Sequence, residues 1–330
     1  MNIKLSKLAI TGIAAAIPAQ RFDLIQLADQ FGLNEIKRIK MSTGIETVRL
    51  ANAKQKASDF CLAAAQHLLN TLSILPASID GIIFISQTPD YRMPATSCIL
   101  QDRLGLSKNT VAFDINYGCS AYIYGLFQAA LLLNSKSCKR VLLCTGDTIT
   151  QHLNPADQKA RLVFGDAGSA TLIEQGTADI AFNIMTDGSG YKSLIIDKSA
   201  NGNDKPLFMN GSEIMEFALR EVPDSIESVL AQMGWKKEEV GTFALHQANQ
   251  FMLDYLRKKL NVKKERVPIA VKEYGNTGPA SIPLTLCHYR DSLSLQSKAK
   301  VIMSGFGVGL SWGSVALNLS KTVMTDIVEV

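Results

Sequence analysis

Residues 79–87 read IDGIIFISQ and residues 240–247 read VGTFALHQ, two apolar runs of strand length whose glutamines lie 160 positions apart. Two more pairs keep nearly that offset. Residues 111–119, VAFDINYGC, share Tyr-Gly with residues 267–276, VPIAVKEYGN, at 157 positions; residues 139–146, KRVLLCTG, match residues 299–305, AKVIMSG, at 160. Apolar strands resemble one another by chance, so one pair alone means little, and the near-constant offset is what argues for one unit written twice. Between the paired runs lie helical patterns at 59–72 and 212–233, so strands alternate with helices in both halves. The strands are apolar on both faces, as sheets covered by helices require. The sequence therefore predicts two α/β halves, 1–175 and 176–330, with glycine-rich loops or turns at 187–190 and 201–211.

Composition narrows the class of function. A chain of 330 residues, 47% hydrophobic and 19% charged, has ample apolar surface for two cores and is a poor fit to disorder. Lys and Arg number 34 against 30 Asp and Glu, and a dispersed net charge of +4 excludes a nucleic-acid surface. The six cysteines show no C-x-x-C pair and no histidine at zinc spacing, so neither a metal site nor a disulfide framework is expected. Free thiols point to the reducing cytoplasm. The opening MNIKLSKLAITGIAAAIPAQ reads as a first strand rather than an export signal. Residues 117–133 come nearest to a membrane span but carry Cys119, Ser120 and Gln128, so no membrane segment is expected.

Three residues stand where chemistry could sit. Gly118-Cys119 precedes SAYIYGLFQAALLL, an apolar helix whose amino end carries free N–H groups and the positive end of a dipole, an environment that favours a thiolate. A histidine brought from elsewhere in the fold would complete an activated nucleophile. Position alone still favours a small core-filling cysteine, a common fate of free thiols, and the other five cysteines read that way. His246 closes the strand in FALHQANQ, at a carboxyl end where α/β ligands collect, ahead of a helix at 251–260; a hydrogen-bonded structural histidine is the plainer alternative. Asn276 lies in EYGNTGPASIPLTL, where Gly275, Gly278 and Pro279 make a tight turn that the asparagine could simply support. Residues 304–313, SGFGVGLSWG, offer a glycine-rich loop whose amides can approach a substrate oxygen.

Taken together, GCSA around Cys119, VFGDAGSA at 163–170, LHQAN around His246, YGNTGPAS around Asn276 and GFGVGLSWGS near the end resemble the β-ketoacyl-acyl-carrier-protein synthase III family, in family order, from Gly12 to Leu319. The resemblance implies a thiolase-like fold, two duplicated α/β halves in a five-layered αβαβα arrangement, and a homodimer. It implies an acyltransferase in fatty-acid or specialised lipid or polyketide biosynthesis. Cys119 would accept the acyl group from a CoA or phosphopantetheine thioester, with no bound cofactor. His246 and Asn276 would stabilise the enolate formed when malonyl-acyl-carrier protein loses CO2, and condensation would give a 3-oxoacyl product. The amides of Cys119 and Val308 are the matching oxyanion donors. An asparagine cannot act as a base, which fits enolate stabilisation better than hydrolysis.

The chain also departs from the family pattern. The adenine clamp of acetyl-CoA-primed members, a Trp and an Arg, is matched by Arg38 and Gln158, which leaves the primer and its carrier open. The carrier-docking Arg two residues after H-Q-A-N is Phe251, so Asn249 and the basic run Arg257, Lys258 and Lys259 become the candidates for docking an acidic carrier protein. Met93, before Pro94, stands where the partner subunit of a dimer usually caps the acyl pocket with an aromatic ring. Two other functions fit the same residues: acyl transfer to an alcohol or amine, and a non-catalytic subunit of a heterodimer.

Overall fold

In the computed structural model, which describes residues 1–154, 156–199, 204–292 and 299–330, the apolar runs become the strands of one large sheet. Residues 201–203 of the second glycine-rich stretch lie outside the described residues. The main strands are β1 (Asn2–Ile17), β2 (Gly81–Ile85), β3 (Val111–Ile115), β4 (Arg140–Asp147), β5 (Ala167–Gln175), β6 (Ala178–Thr186), β7 (Thr242–Leu245), β8 (Lys300–Gly307) and β9 (Ser311–Asn318). Their order across the sheet is β7-β8-β9-β6-β1-β5-β4-β2-β3. Long β1 joins two sets of strands: Asn2 to Leu8 pair antiparallel with β6, and Leu8 to Ala16 with β5. The switch falls at Lys7, which takes a positive φ of 63°.

From β1 outward the first half pairs β5 antiparallel, then β4 antiparallel to β5, then β2 and β3 parallel. From β6 outward the second half repeats that path, with β9 and β8 antiparallel and β7 parallel. There the repetition stops. Residues 267–276, aligned by offset with β3, form no strand and instead make one helical turn, Val271–Tyr274. The cause is Gln247: its Oε1 accepts from the amides of Ala270 and Val271, and its Nε2 donates to the carbonyls of Leu245 and Pro268. Those bonds satisfy backbone groups that a ladder would otherwise use, and Pro268 has no N–H to offer.

Five helices complete the layers: α1 (Ala57–Thr71), α2 (Ala121–Asn134), α3 (Gly211–Met233), α4 (Gln250–Leu260) and α5 (Ser281–His288). Helix α1 covers β1, β4 and β5 from outside, and α3 covers β6, β8 and β9, with α4 packed on α3. Helices α2 and α5 lie between the two sets of strands, giving the αβαβα order. Helix α2 can occupy that place because it is apolar all round, with Tyr122, Ile123, Leu126 and Ala129 buried alike. Helix α3 is amphipathic and buries only the face carrying Ile214, Phe217, Val222 and Ile226. At Leu126 or Ile226, truncation to alanine would cost roughly 2–5 kcal/mol.

No helix among the described residues is long and apolar enough to cross a membrane. All six cysteines are free; Cys61, Cys138, Cys144 and Cys287 fill the core as expected, but Cys98 is exposed. The glycine-rich run 304–313 is mostly strand, and only residues 308–310 turn between β8 and β9.

Candidate active site

Cys119 sits in the turn between β3 and α2, half-buried and opening onto a cavity of about 430 Å³. Gly118 and Val308 line that cavity with it. Strand β8 crosses so closely behind the nucleophile that a Cβ on Gly307 would stand 2.7 Å from the Cys119 Cβ, and one on Gly305 would stand 3.0 Å from its carbonyl oxygen. The amides of Cys119 and Val308 both favour the charged form of the sulfur. A serine link fixes the second: Ser311 Oγ donates to the Val308 carbonyl at 2.7 Å and pairs with Ser120 Oγ at 2.7 Å.

The environment of the thiol differs from the expected one. Burial, with the charge of Asp147 added to it, pushes the thiol up to about 12, and the two amides oppose this only in part. Helix α2 begins only at Ala121, and the sulfur shares its cavity with the Asp147 carboxylate. Cys119 therefore rests as a thiol and not as the expected thiolate.

His246 follows β7 and is buried, its amide bonded to the Ser304 carbonyl at 2.9 Å and its ring edge-on to Phe306. Phe306 neighbours Gly307, the residue packed on Cys119. Burial holds the imidazole down to about 3, so it is neutral. Its Nδ1 pairs with Ser281 Oγ at 2.7 Å. Ser281 Oγ also accepts from the Gln247 amide at 3.5 Å, and when its hydroxyl donates to Nδ1 the imidazole proton sits on Nε2.

Asn276 is 6% exposed and held by its backbone: its amide donates to Val163 O at 2.8 Å and its carbonyl accepts from Gly165 N at 3.1 Å. Gly275 reaches this place with φ +68°, and an added Cβ there would collide with the Val163 carbonyl oxygen at 2.7 Å. Asn276 Oδ1 accepts from the Gly278 amide at 3.0 Å, which frees Nδ2 as a donor. Gly278, which bonds the Asn276 side chain, lines the cavity, whereas Asn276 and His246 are not themselves among its lining residues.

Asp147, at the end of β4, was not singled out by the sequence. It lines the cavity, and burial raises it to about 6 even though Ser86, Gln87 and Thr88 donate to it. A carboxylate closing the apolar run KRVLLCTGD was the available signal. Ser281, which orients His246, gave no signal, because its partner lies 35 residues away.

The remaining candidates fall elsewhere. The Asn249 side chain caps α4 by accepting from Met252 N at 2.8 Å. The basic run on α4 does not form one patch, because successive helix residues diverge by about 100°. Arg257 turns inward, donating to Val262 O and lying 3.6 Å from Asp254; Lys259 donates to Leu219 O at 2.6 Å; Lys258 lies over the Tyr255 ring. Met93 is 81% exposed and is not part of the wall of its own chain's cavity. Arg38 pairs with Glu35 on an exposed helix, and Gln158 starts a short helix; neither lines the cavity. Among the described residues no cluster of His, Cys, Asp and Glu fits a metal ion.

Comparison with known proteins agrees with this arrangement. The family model described as 3-oxoacyl-[acyl-carrier-protein (ACP)] synthase III matches residues 113–188, and its C-terminal counterpart matches residues 230–319. A putative 3-oxoacyl-[acyl-carrier-protein] synthase 3 of Campylobacter jejuni is 32% identical, with 99% of this chain and 98% of the relative covered. The β-ketoacyl-[acyl-carrier-protein] synthase III of Clostridium perfringens is 34% identical over 85% of this chain and 90% of its own. The crystal structure of a 3-oxoacyl-(acyl-carrier protein) synthase from Burkholderia xenovorans superposes with a TM-score of 0.96 at 36% identity, covering 100% of this chain and 99% of that one.

Proposed function

The chain belongs to the 3-oxoacyl-[acyl-carrier-protein] synthase III family, and from that premise we propose how its residues divide the decarboxylating Claisen condensation between an acyl thioester and malonyl-acyl-carrier protein. The observation that carries the assignment is Cys119 opening onto the cavity beside Val308, with Gly305 and Gly307 of β8 packed directly against it. Cys119 Sγ attacks the thioester carbonyl, and those two amides hold the resulting oxyanion. Collapse breaks the carbon–sulfur bond to the carrier, whose thiol leaves with the proton that Cys119 gives up. The malonyl thioester then enters and loses CO2, and the electron pair moves onto its carbonyl oxygen as an enolate. His246 Nε2–H and Asn276 Nδ2–H, both neutral donors, stabilise that oxygen. The enolate carbon attacks the acyl group on Cys119, a carbon–carbon bond forms as the carbon–sulfur bond to Cys119 breaks, and the released thiolate takes a proton from water.

The thioester substrates carry the chemistry and no bound cofactor is required. The halves 1–175 and 176–330 act as two units around one cavity. A homodimer belongs to the same proposal: β3 is an edge strand paired only with β2, Val111 on it is 48% exposed, and Met93 stands out nearby for a neighbouring cavity. For carrier docking, Lys258 and Lys259 are the exposed members of the basic run that face an acidic partner. Six free thiols support a cytoplasmic setting. The free Asn276 donor disfavours transfer to an alcohol or amine, which needs no enolate, and the intact trio disfavours a non-catalytic partner subunit.

Intact mass of the protein incubated with acyl-CoA and acyl-carrier-protein donors, with and without malonyl-carrier protein, tests the assignment. The expected result is an acyl adduct that Cys119→Ser abolishes and that malonyl-carrier protein discharges with CO2 release. No adduct with any donor would overturn it, and an adduct never followed by CO2 release would establish simple acyl transfer.

A further inference from the structure

The wall of the Cys119 cavity is divided in character. Ile149, Phe164, Leu194, Ile195 and Leu207 make one part apolar. Among its polar residues, His152, Tyr191 and Asp204 come from other segments, and three more come from the ends of three adjacent parallel strands. β2 pairs with β3 through Ile85 and Ile115, and with β4 through Ile85 and Thr145. One or two residues beyond those pairs the chain carries Asn116, Gln87 and Asp147, and all three line the cavity. Carboxyl ends of parallel strands thus bring three polar side chains to one place beside the nucleophile.

Asp147 is 4% exposed. Its Oδ1 is saturated, accepting from Ser86 Oγ and Gln87 N at 2.7 Å and from Thr88 N and Oγ1 at 3.2 Å. Its Oδ2 receives no hydrogen bond from any described residue and lies beside Gly278, where a Cβ would approach it to 3.3 Å. None of the described residues lining the cavity is a lysine or arginine. A hydrocarbon chain filling this chamber would strip water from Oδ2 and return no hydrogen bond, which disfavours such a chain. A chain hydroxyl or ammonium group would donate to that oxygen.

We propose that Asp147 is a specificity-determining residue: its free carboxylate oxygen, with Gln87 and Asn116 beside it, selects a primer whose acyl chain bears a hydroxyl or amino group over an all-hydrocarbon primer. The inference rests on the acyl-transfer reading and adds to it the substrate class. It concerns the acyl chain, not the pantetheine arm, which every donor shares.

The test measures kcat/KM for Cys119 acylation with 2-, 3- and 4-hydroxybutyryl and 3-aminobutyryl thioesters against butyryl and 3-methylbutyryl thioesters, each on CoA and on carrier protein. The expected result is a hydroxyl- or amino-bearing primer favoured on the order of tenfold or more, with Asp147→Asn cutting that ratio and Gln87→Leu cutting it less. Hydrocarbon primers used as well or better would overturn the inference while leaving acyl transfer standing. Asp147→Asn slowing all primers equally would also overturn it, since the carboxylate would then serve the shared arm or the fold. Should that variant not fold, the wild-type ratio and Gln87→Leu decide. No adduct from any primer would overturn the acyl-transfer reading itself.

Discussion

In the first half the chain leaves edge strand β3 and runs directly into Gly118-Cys119 and α2; in the second half the segment at the same offset makes no strand and turns at Gly275 to present Asn276. One edge keeps a free ladder, while the other is closed by the Gln247 side chain. The consequence is a division of labour. The first half holds the nucleophile and the polar wall, and the second holds two neutral donors and the β8 strand that presses on the sulfur. Similar paths through two similar halves therefore deliver different chemistry, because one side chain diverts the backbone just where the functional residue is placed.

The sharpest way to break this division is Asn276→Asp. It removes the Nδ2 donor and puts a second carboxylate near Asp147, so CO2 release and condensation should fall by roughly 10²–10³ while the acyl adduct on Cys119 still forms. Equal loss of both steps, measured by CO2 release against adduct mass, would show that the halves do not act separately.

Gly307→Ala probes the contact between the halves. Its methyl would stand 2.7 Å from the Cys119 Cβ, and overpacking of this kind costs about 1–3 kcal/mol. Acylation should slow about tenfold, with the thermal midpoint lowered by a few degrees. An unchanged acylation rate would mean that β8 does not position the sulfur.

A smaller effect separates the buried groups by pH. The folded state holds His246 at about 3 against an ordinary 6.5, so as pH falls through that window the unfolded chain takes up a proton that the folded chain refuses, and stability declines. Asp147 and Asp166, raised by burial to about 6 from 3.8, act in the opposite sense: their contribution is present at low pH and is lost as pH rises through about 6. Urea midpoints followed from pH 6.5 down toward 3 should fall less steeply for His246→Asn than for the wild type; parallel curves would show that the histidine is not held neutral.

Much of this was legible in the residues. The strands at 81–85, 140–147, 242–245 and 300–307, the helix after Cys119 and the placement of His246 at a strand end all follow from apolar period and punctuation. The strand expected before Asn276 did not form, because a glutamine more than twenty residues away takes its amides, and no local pattern reports such a bond. The basic run on α4 looked like a patch when written in a line, yet a helix sends its members to different neighbours. Asp147 went unnoticed because a single carboxylate after an apolar strand is unremarkable until the chamber around it is seen.

By itself the sequence determined which segments are strands and helices, the repeat that relates the halves, and the residue types available for acyl transfer and enolate stabilisation. Only the tertiary structure decided their electrostatics: that Cys119 rests as a thiol, that His246 is held neutral with Nδ1 on Ser281, and that one oxygen of Asp147 meets no donor among the described residues. Local periodicity records how a segment folds, whereas desolvation and hydrogen bonding depend on groups that arrive from distant parts of the chain, and those set the charge at which each residue works.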